Sequence, residues 1–262
     1  MLVTDGPDTL RDAQRVAVVI PAFDEAPIIA ATVRACRAIP AVDLVVVVDD
    51  GSVDKTQHAA RGAGAVVVRH SVNRGKASAV ETGIKVVAMR DLPDLPPRHV
   101  LVIDAWLGDA AAECAPAVQA VLDGQADCAI AVSLSHTPAG RAEAFARSGI
   151  ARLTGLQSVQ PLAPHRCLTR EAANAAMPLA GGWGLEPGIT IDVLAAGLTV
   201  VEVECDMPAG RRGSKQHRGA FAHQREVATA ILTRRFFRPP PAAPRSIQSE
   251  PQPGIPYQIG SK

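Results

Sequence analysis

Aromatic residues are scarce, with two Trp, one Tyr and five Phe in 262 residues. A core of any size must therefore be built from Val, Ala, Leu and Ile. The five cysteines (Cys36, Cys114, Cys128, Cys167 and Cys205) show no C-x-x-C spacing, which argues against a zinc ribbon or a disulfide framework and reads as buried, reduced thiols. Long apolar runs are missing as well. Val16–Ile20 and Leu44–Val48 are strand-length, far short of the roughly 20 residues that a membrane-spanning helix needs. The first fifteen residues have no apolar stretch of signal-peptide type, so the expected location is the cytoplasm. No G-x-G-x-x-G follows the first apolar run and no G-x-x-x-x-G-K-[ST] occurs, which disfavours a nicotinamide-binding domain and excludes a P-loop.

Net charge is also small, +1, but unevenly spread. Met207–Arg238 holds eight Lys or Arg and one acid, Glu226, whereas residues 1–206 carry 17 basic against 24 acidic side chains. The basic segment fits either a solvated helix face or a contact with something anionic, an acceptor phosphate or a membrane surface. It has no interleaved aromatics and no helix-turn-helix pattern, so a nucleic-acid partner is not expected.

Strands and helices alternate from the start. Val16–Ile20, Val42–Val48, Ala65–Arg69, His99–Ile103 and Ala126–Val132 read as strands. Glu25–Arg37, a segment from Ser52 or Asp54 to Arg61, Gly75–Met89 and Ala110–Leu122 read as the helices between them. The strands are continuous apolar runs, as expected for a sheet covered on both faces. The pattern predicts an α/β fold with a mostly parallel sheet flanked by helices and right-handed crossovers. The second half reads as helices at Arg141–Leu153 and Arg170–Ala176, a Gly181-Gly182-Trp183-Gly184 turn, a helix Leu185–Ala196 closed by Gly197, a strand Thr199–Glu204 and a basic helix Ala220–Phe237. From Pro239 there are seven prolines in 18 residues. We expect one domain over residues 14–238, a flexible stretch 1–13, and a disordered tail 239–262.

In an open α/β sheet, ligands bind outside the carboxyl ends of the strands. Three such ends carry polar clusters: Pro21-Ala22-Phe23-Asp24-Glu25, Asp49-Asp50-Gly51-Ser52 and Asp104-Ala105-Trp106. One acid at a strand end is commonly a turn former or helix cap. Three in succession point to a site.

The stretches Val18–Ile29, Val45–Thr56, Asn73–Ile84 and Val100–Ala105 together resemble the family 2 glycosyltransferases of GT-A fold, in the branch of polyprenyl-phosphate and glucosyl-3-phosphoglycerate synthases. The resemblance covers residues 15–107 and continues more loosely beyond. It implies a nucleotide-diphospho-sugar donor, bound by Pro21, Ala22, Phe23, Glu25, Asp50, Gly75, Lys76, Asp104 and Trp106, with Asp50 meeting the base and Lys76 near the diphosphate. It further implies Arg166 and Trp183 at the acceptor, whose identity stays open, and Asp104 and Glu186 as catalytic. A carboxylate suits ribose hydroxyls or a base N–H, and a lysine at a helix entrance suits a diphosphate.

The sequence departs from the family pattern at Asp104-Ala105-Trp106. Relatives carry Asp-x-Asp there, whose last carboxylate holds Mg²⁺ or Mn²⁺; tryptophan offers no oxygen ligand. Asp104 is left as the metal candidate within the motif, and Asp109 is an alternative five residues on. Either Lys76 and the basic stretch Arg211–Arg218 neutralise the leaving group, or the chain is a silent nucleotide-sugar-binding homologue. A sugar-phosphate nucleotidyltransferase is the third reading; its glycine-rich, Arg-containing N-terminal loop is not found. The Ala220–Phe237 helix, with Arg225, Arg234 and Arg235 beside Val227, Ile231, Leu232, Phe236 and Phe237, suits weak peripheral contact with an anionic inner-membrane face.

Overall fold

A computed structural model of the chain describes residues 14–136, 140–208 and 220–237. The expected flexible stretch 1–13, the basic stretch Arg211–Arg218 and the Pro-rich tail lie outside the described residues. The strands are β1 (Val16–Ala22), β2 (Val42–Asp49), β3 (Val66–Arg69), β4 (His99–Val102), β5 (Cys128–Ser133), β6 (Arg166–Leu168) and β7 (Val200–Cys205). The α-helices are α1 (Ile29–Arg37), α2 (Thr56–Gly62), α3 (Lys76–Met89), α4 (Ala115–Leu122), α5 (Gly140–Thr154), α6 (Arg170–Ala175), α7 (Leu185–Ala195) and α8 (Ala220–Phe237). One seven-stranded sheet runs in the order β3-β2-β1-β4-β6-β5-β7. Every pairing is parallel except those of β6, which lies antiparallel between β4 and β5.

The pleat explains the uninterrupted apolar strands. Ala17 and Val19 of β1 join a core with α3, α5, α6, α7 and α8, while Val16, Val18 and Ile20 join a second core with α1, α2 and α4. Both faces of the sheet are buried, so neither can be polar. Small residues set the spacing in place of aromatics. A Cβ added at Gly83 of α3 would stand 2.3 Å from Val19 Cγ1, so this helix lies directly on the strand. The five cysteines are buried free thiols, and burial pushes Cys36 up to about 12 and Cys128 and Cys205 to about 11.

Several boundaries differ from expectation for identifiable reasons. β1 does not stop at Pro21. The Val19 carbonyl accepts from Ile103 N on the β4 side, and Pro21, two residues on, faces the same side beyond the last β1–β4 pair, Val19↔Val102. Its missing N–H therefore costs no ladder bond. The expected Ala110–Leu122 helix is instead a 3₁₀ stretch, Ala105–Cys114, kinked at Gly108, followed by α4. Pro116 is tolerated only in a first turn, which places the helix start at Ala115. α1 begins at Ile29 rather than Glu25, after a turn in which the Glu25 carbonyl accepts from Ile28 and Ile29. Gly197, at φ 78°, follows the C-cap Ala196 of α7 as expected. Strand β6 was not expected; three residues are too few to show a period.

α8 packs its apolar face inward. Val227 and Ile231 are buried against α5, α7 and their neighbours, and a Cβ at Gly149 of α5 would lie 2.3 Å from Ile231 Cδ1. Those two side chains are therefore unavailable to a membrane surface. Arg234 is likewise turned inward, onto Asp192. Among the described residues no helix is long and apolar enough to cross a membrane.

Candidate active site

The carboxyl ends of β1, β2 and β4 stand side by side, because β1 pairs with both of the others. The loops after β1 and β2 are laced together. Ser52 Oγ accepts from Asp24 N at 3.0 Å, Asp24 Oδ1 from Val53 N at 2.9 Å, Thr56 Oγ1 from Glu25 N at 2.8 Å and Asp54 Oδ2 from Ala26 N at 3.1 Å. Asp24, at φ 54°, is held in the left-handed region by these contacts. Ser52 thus caps no helix. Asp54 accepts from Thr56 N and Oγ1 just ahead of α2, whose N-cap is Lys55 with no side-chain capping bond. Ala22 is buried, Pro21 and Glu25 are half-buried, and Phe23 is exposed at the rim.

Asp50, expected to meet a base, turns inward and is 4% exposed. Oδ1 accepts from His70 Nδ1 at 2.6 Å and Arg74 N at 2.9 Å, and Oδ2 accepts from Gly75 N at 2.7 Å. Three of its roughly four acceptor positions are used inside the protein. These bonds hold the 70–76 turn that carries Lys76. His70 Nε2 lies 2.9 Å from Thr82 Oγ1, tying the same turn to α3. His70 escaped sequence reasoning, although it follows β3 and the strand-end rule would have found it. Gly75 takes φ 89° as the N-cap of α3, a conformation suited to glycine.

Lys76 opens α3 and reaches across the sheet ends. Its Nζ stands 2.7 Å from Asp104 Oδ1 and 3.1 Å from Glu186 Oε1. Burial works against the lysine charge, but the two carboxylates outweigh it and hold its pKa above the ordinary value. Burial likewise opposes the Asp104 charge, and the Lys76 ammonium prevails, keeping that carboxyl below its usual range. Trp106 Nε1 donates to Asp104 Oδ2 at 3.2 Å. The Trp106 ring is half-buried and tilted at 57° to His165, centroids 6.1 Å apart. His165 is buried, and its Nδ1 accepts from Asp104 N at 3.4 Å. Burial pulls its pKa to about 4, with Asp104 opposing and Lys76 and Arg166 assisting, so the ring is neutral near pH 7. His165 forms part of the wall around Asp104.

Arg166, expected at the acceptor, lies buried beside α7. It is 1% exposed, and its guanidinium donates to the carbonyls of Ala163 at 2.6 Å and Glu186 at 3.0 Å and to Thr190 Oγ1 at 3.4 Å. It fastens the first turn of α7 from below. Asp192 is fully buried and paired with Arg234. Trp183 is 38% exposed on the 3₁₀ turn Gly182–Gly184, and its N–H donates to Glu226 Oε2 of α8 at 3.1 Å. Lys76, Asp104, Trp106 and Glu186 therefore converge, and Asp50 and Arg166 support them from behind.

The residues present do not fit a divalent cation. Both Asp104 oxygens already accept N–H donors, from Lys76 and Trp106, and Asp109 is exposed on the 3₁₀ stretch after β4. Among the described residues no three of His, Cys, Asp and Glu converge as a metal-binding group. Magnesium and manganese need several oxygen ligands.

The family model described as "Glycosyl transferase family 2" matches residues 17–168. The chain belongs to this family. Among solved structures, this glycosyltransferase is similar to glucosyl-3-phosphoglycerate synthase from Mycobacterium tuberculosis in complex with phosphoglyceric acid, with 25% identity, 87% of this chain and 82% of that one covered, and a TM-score of 0.69. It is similar also to the same synthase in complex with Mn²⁺, uridine diphosphate and phosphoglyceric acid, at 25% identity, 87% and 80% coverage and a TM-score of 0.70. Over 88 residues it is 39% identical to protein MJ1222 of Methanocaldococcus jannaschii, 34% of each chain. The match thus spans about a third of that relative's length. The synthases share its mixed sheet flanked by helices, so the expected GT-A fold is the fold observed.

Proposed function

We propose that the protein transfers a sugar from a nucleotide-diphospho-sugar donor to an acceptor hydroxyl. The observation that carries this reading is the convergence of Lys76, Asp104 and Glu186, from the starts of two helices and the end of a central strand, within 3.1 Å of one ammonium. In this reading Pro21, Ala22, Phe23, Glu25 and Gly75 border the nucleotide, and Asp104 and Trp106 border the diphospho-sugar. Lys76 neutralises charge as the bond from the sugar to the diphosphate breaks; such a placed donor is worth roughly 3 kcal/mol. Glu186 accepts a Lys76 N–H with Oε1 and takes the acceptor hydroxyl proton with Oε2 as the new glycosidic bond forms. Trp183 stands at the acceptor side.

The synthase neighbours, solved in complex with uridine diphosphate or UDP-glucose and phosphoglyceric acid, make UDP-glucose and phosphoglyceric acid the first donor and acceptor to try. The test is release of UDP from UDP-glucose with and without that acceptor, repeated with GDP- and TDP-sugars and other hydroxyl acceptors. Product sugar or accelerated donor hydrolysis supports transfer. A second reading, a nucleotide-sugar-binding protein without turnover, is favoured by the closure of Asp104 between Lys76 and Trp106. Tight donor binding with no hydrolysis under any condition would establish it instead.

A further inference from the structure

We infer that this chain engages its nucleoside diphosphate without a divalent cation, the Lys76 ammonium standing beside Asp104 where a metal ion would bridge carboxylate and diphosphate. The inference rests on the donor-site reading above and adds to it the means of charge neutralisation. Three observations carry it.

The first is the state of the carboxylate. Asp104 Oδ1 receives Lys76 Nζ at 2.7 Å and Oδ2 receives Trp106 Nε1 at 3.2 Å. A cation at about 2.1 Å from either oxygen would have to displace an ammonium or an indole N–H. The second is the surroundings. Trp106 occupies the motif position two residues on and packs partly on the core beneath the sheet. The His165 Nδ1 lone pair is turned to Asp104 N, and Glu186 Oε1 is bound by Lys76. Among the described residues, Asp104, His165 and Glu186 each have an atom already committed to an N–H donor.

The third observation is what Lys76 keeps free. An ammonium has three N–H donors, and two go to Asp104 and Glu186. The side chain remains 31% exposed, so the third donor can meet a phosphate oxygen from solvent. Held between two carboxylates, the lysine loses little rotamer freedom on binding. It also opens the 14-residue helix α3, whose first turn holds no acid, so the positive end of the helix dipole adds to the same field.

Calorimetric titration of the full-length protein with UDP, once in EDTA and once in excess Mn²⁺, decides the matter. We expect comparable affinity in the two buffers. A gain of tenfold or more on adding Mn²⁺, 1.4 kcal/mol, overturns the inference while leaving the donor site standing. No UDP binding in either buffer overturns the donor-site reading, and this inference with it. In EDTA, Lys76→Gln is expected to lose at least tenfold in affinity with a cooperative unfolding transition retained, and unchanged affinity would overturn the inference. Trp106→Asp supplies the missing oxygen ligand and is expected to gain tenfold or more on adding Mn²⁺; a folded variant with no gain would show that Trp106 is not what excludes the ion.

Discussion

Glu186 and Asp50 are both buried acids near one lysine, and their partners separate their roles. Glu186 has one oxygen on Lys76 and sits at the start of α7, facing the site. Glu186→Gln keeps an acceptor for Lys76 and removes the base. Turnover is expected to fall about 10²–10⁴-fold with UDP affinity unchanged, read by initial rates and calorimetry. Asp50 faces the turn before α3 instead. Asp50→Ala removes the acceptor of Arg74 N and His70 Nδ1 and leaves Gly75 N with Asn73 Oδ1 alone, at roughly 1–3 kcal/mol for each buried group left unpaired. The expected outcome is a lowered melting temperature and faster amide exchange over residues 70–76, with loss of UDP affinity following from the displaced Lys76. Loss of affinity at an unchanged melting temperature would return Asp50 to the role of a direct base contact.

At the scale of elements, α8 ties the Trp183 turn and α7 to the rest of the fold. Glu226 accepts from Trp183 N, and Arg234 donates through Nε to Asp192 Oδ1 at 2.8 Å and through Nη2 to Oδ2. Asp192 is fully buried within α7, two turns after Glu186. Removing one partner leaves a buried charge, so Arg234→Met is expected to destabilise by about 3–5 kcal/mol. The double variant Arg234→Met with Asp192→Leu should recover most of that loss, because paired apolar replacements are often neutral or stabilising. Denaturant melts of the two single variants and the double variant check this. Equal destabilisation in all three would mean that the pair contributes through packing and not through charge.

Over the whole molecule, acid is the sensitive direction. His165 has its folded pKa drawn from 6.5 down to about 4 by burial, so the unfolded chain binds the proton more readily. Stability from this group is complete above about pH 6.5 and declines as pH falls toward 4. The lowered pKa of Asp104 acts in the same direction at still lower pH. Lys76, raised by its carboxylates, loses its contribution only on the alkaline side as pH passes its folded value. Chemical melts between pH 7 and pH 4.5 should show falling stability, and His165→Gln should flatten that slope. An equal slope in the variant would assign the acid sensitivity to other groups.

The chain of strands and helices was legible from sequence because each follows a short-range period. Continuous apolar runs marked β1, β2, β4 and β5, Gly197 marked the end of α7, and acids after three strands pointed to one edge of the sheet. Asp104 and Trp106 stood out with those strand-end clusters, and Lys76 and Glu186 through the family resemblance. Their meeting was not legible, since Lys76 and Glu186 are 110 residues apart and meet only once β6 inserts antiparallel between β4 and β5. The tertiary structure also decided which polar residues face outward. The resemblance implied Arg166 at the acceptor, yet its guanidinium is buried against three acceptors, Ala163 O, Glu186 O and Thr190 Oγ1. Asp50 looked like a ligand contact, yet backbone N–H groups 24 and 25 residues on claim it. Local sequence sets the period of an element and so its buried face; the partner of a polar side chain depends on which distant segment the sheet order brings beside it.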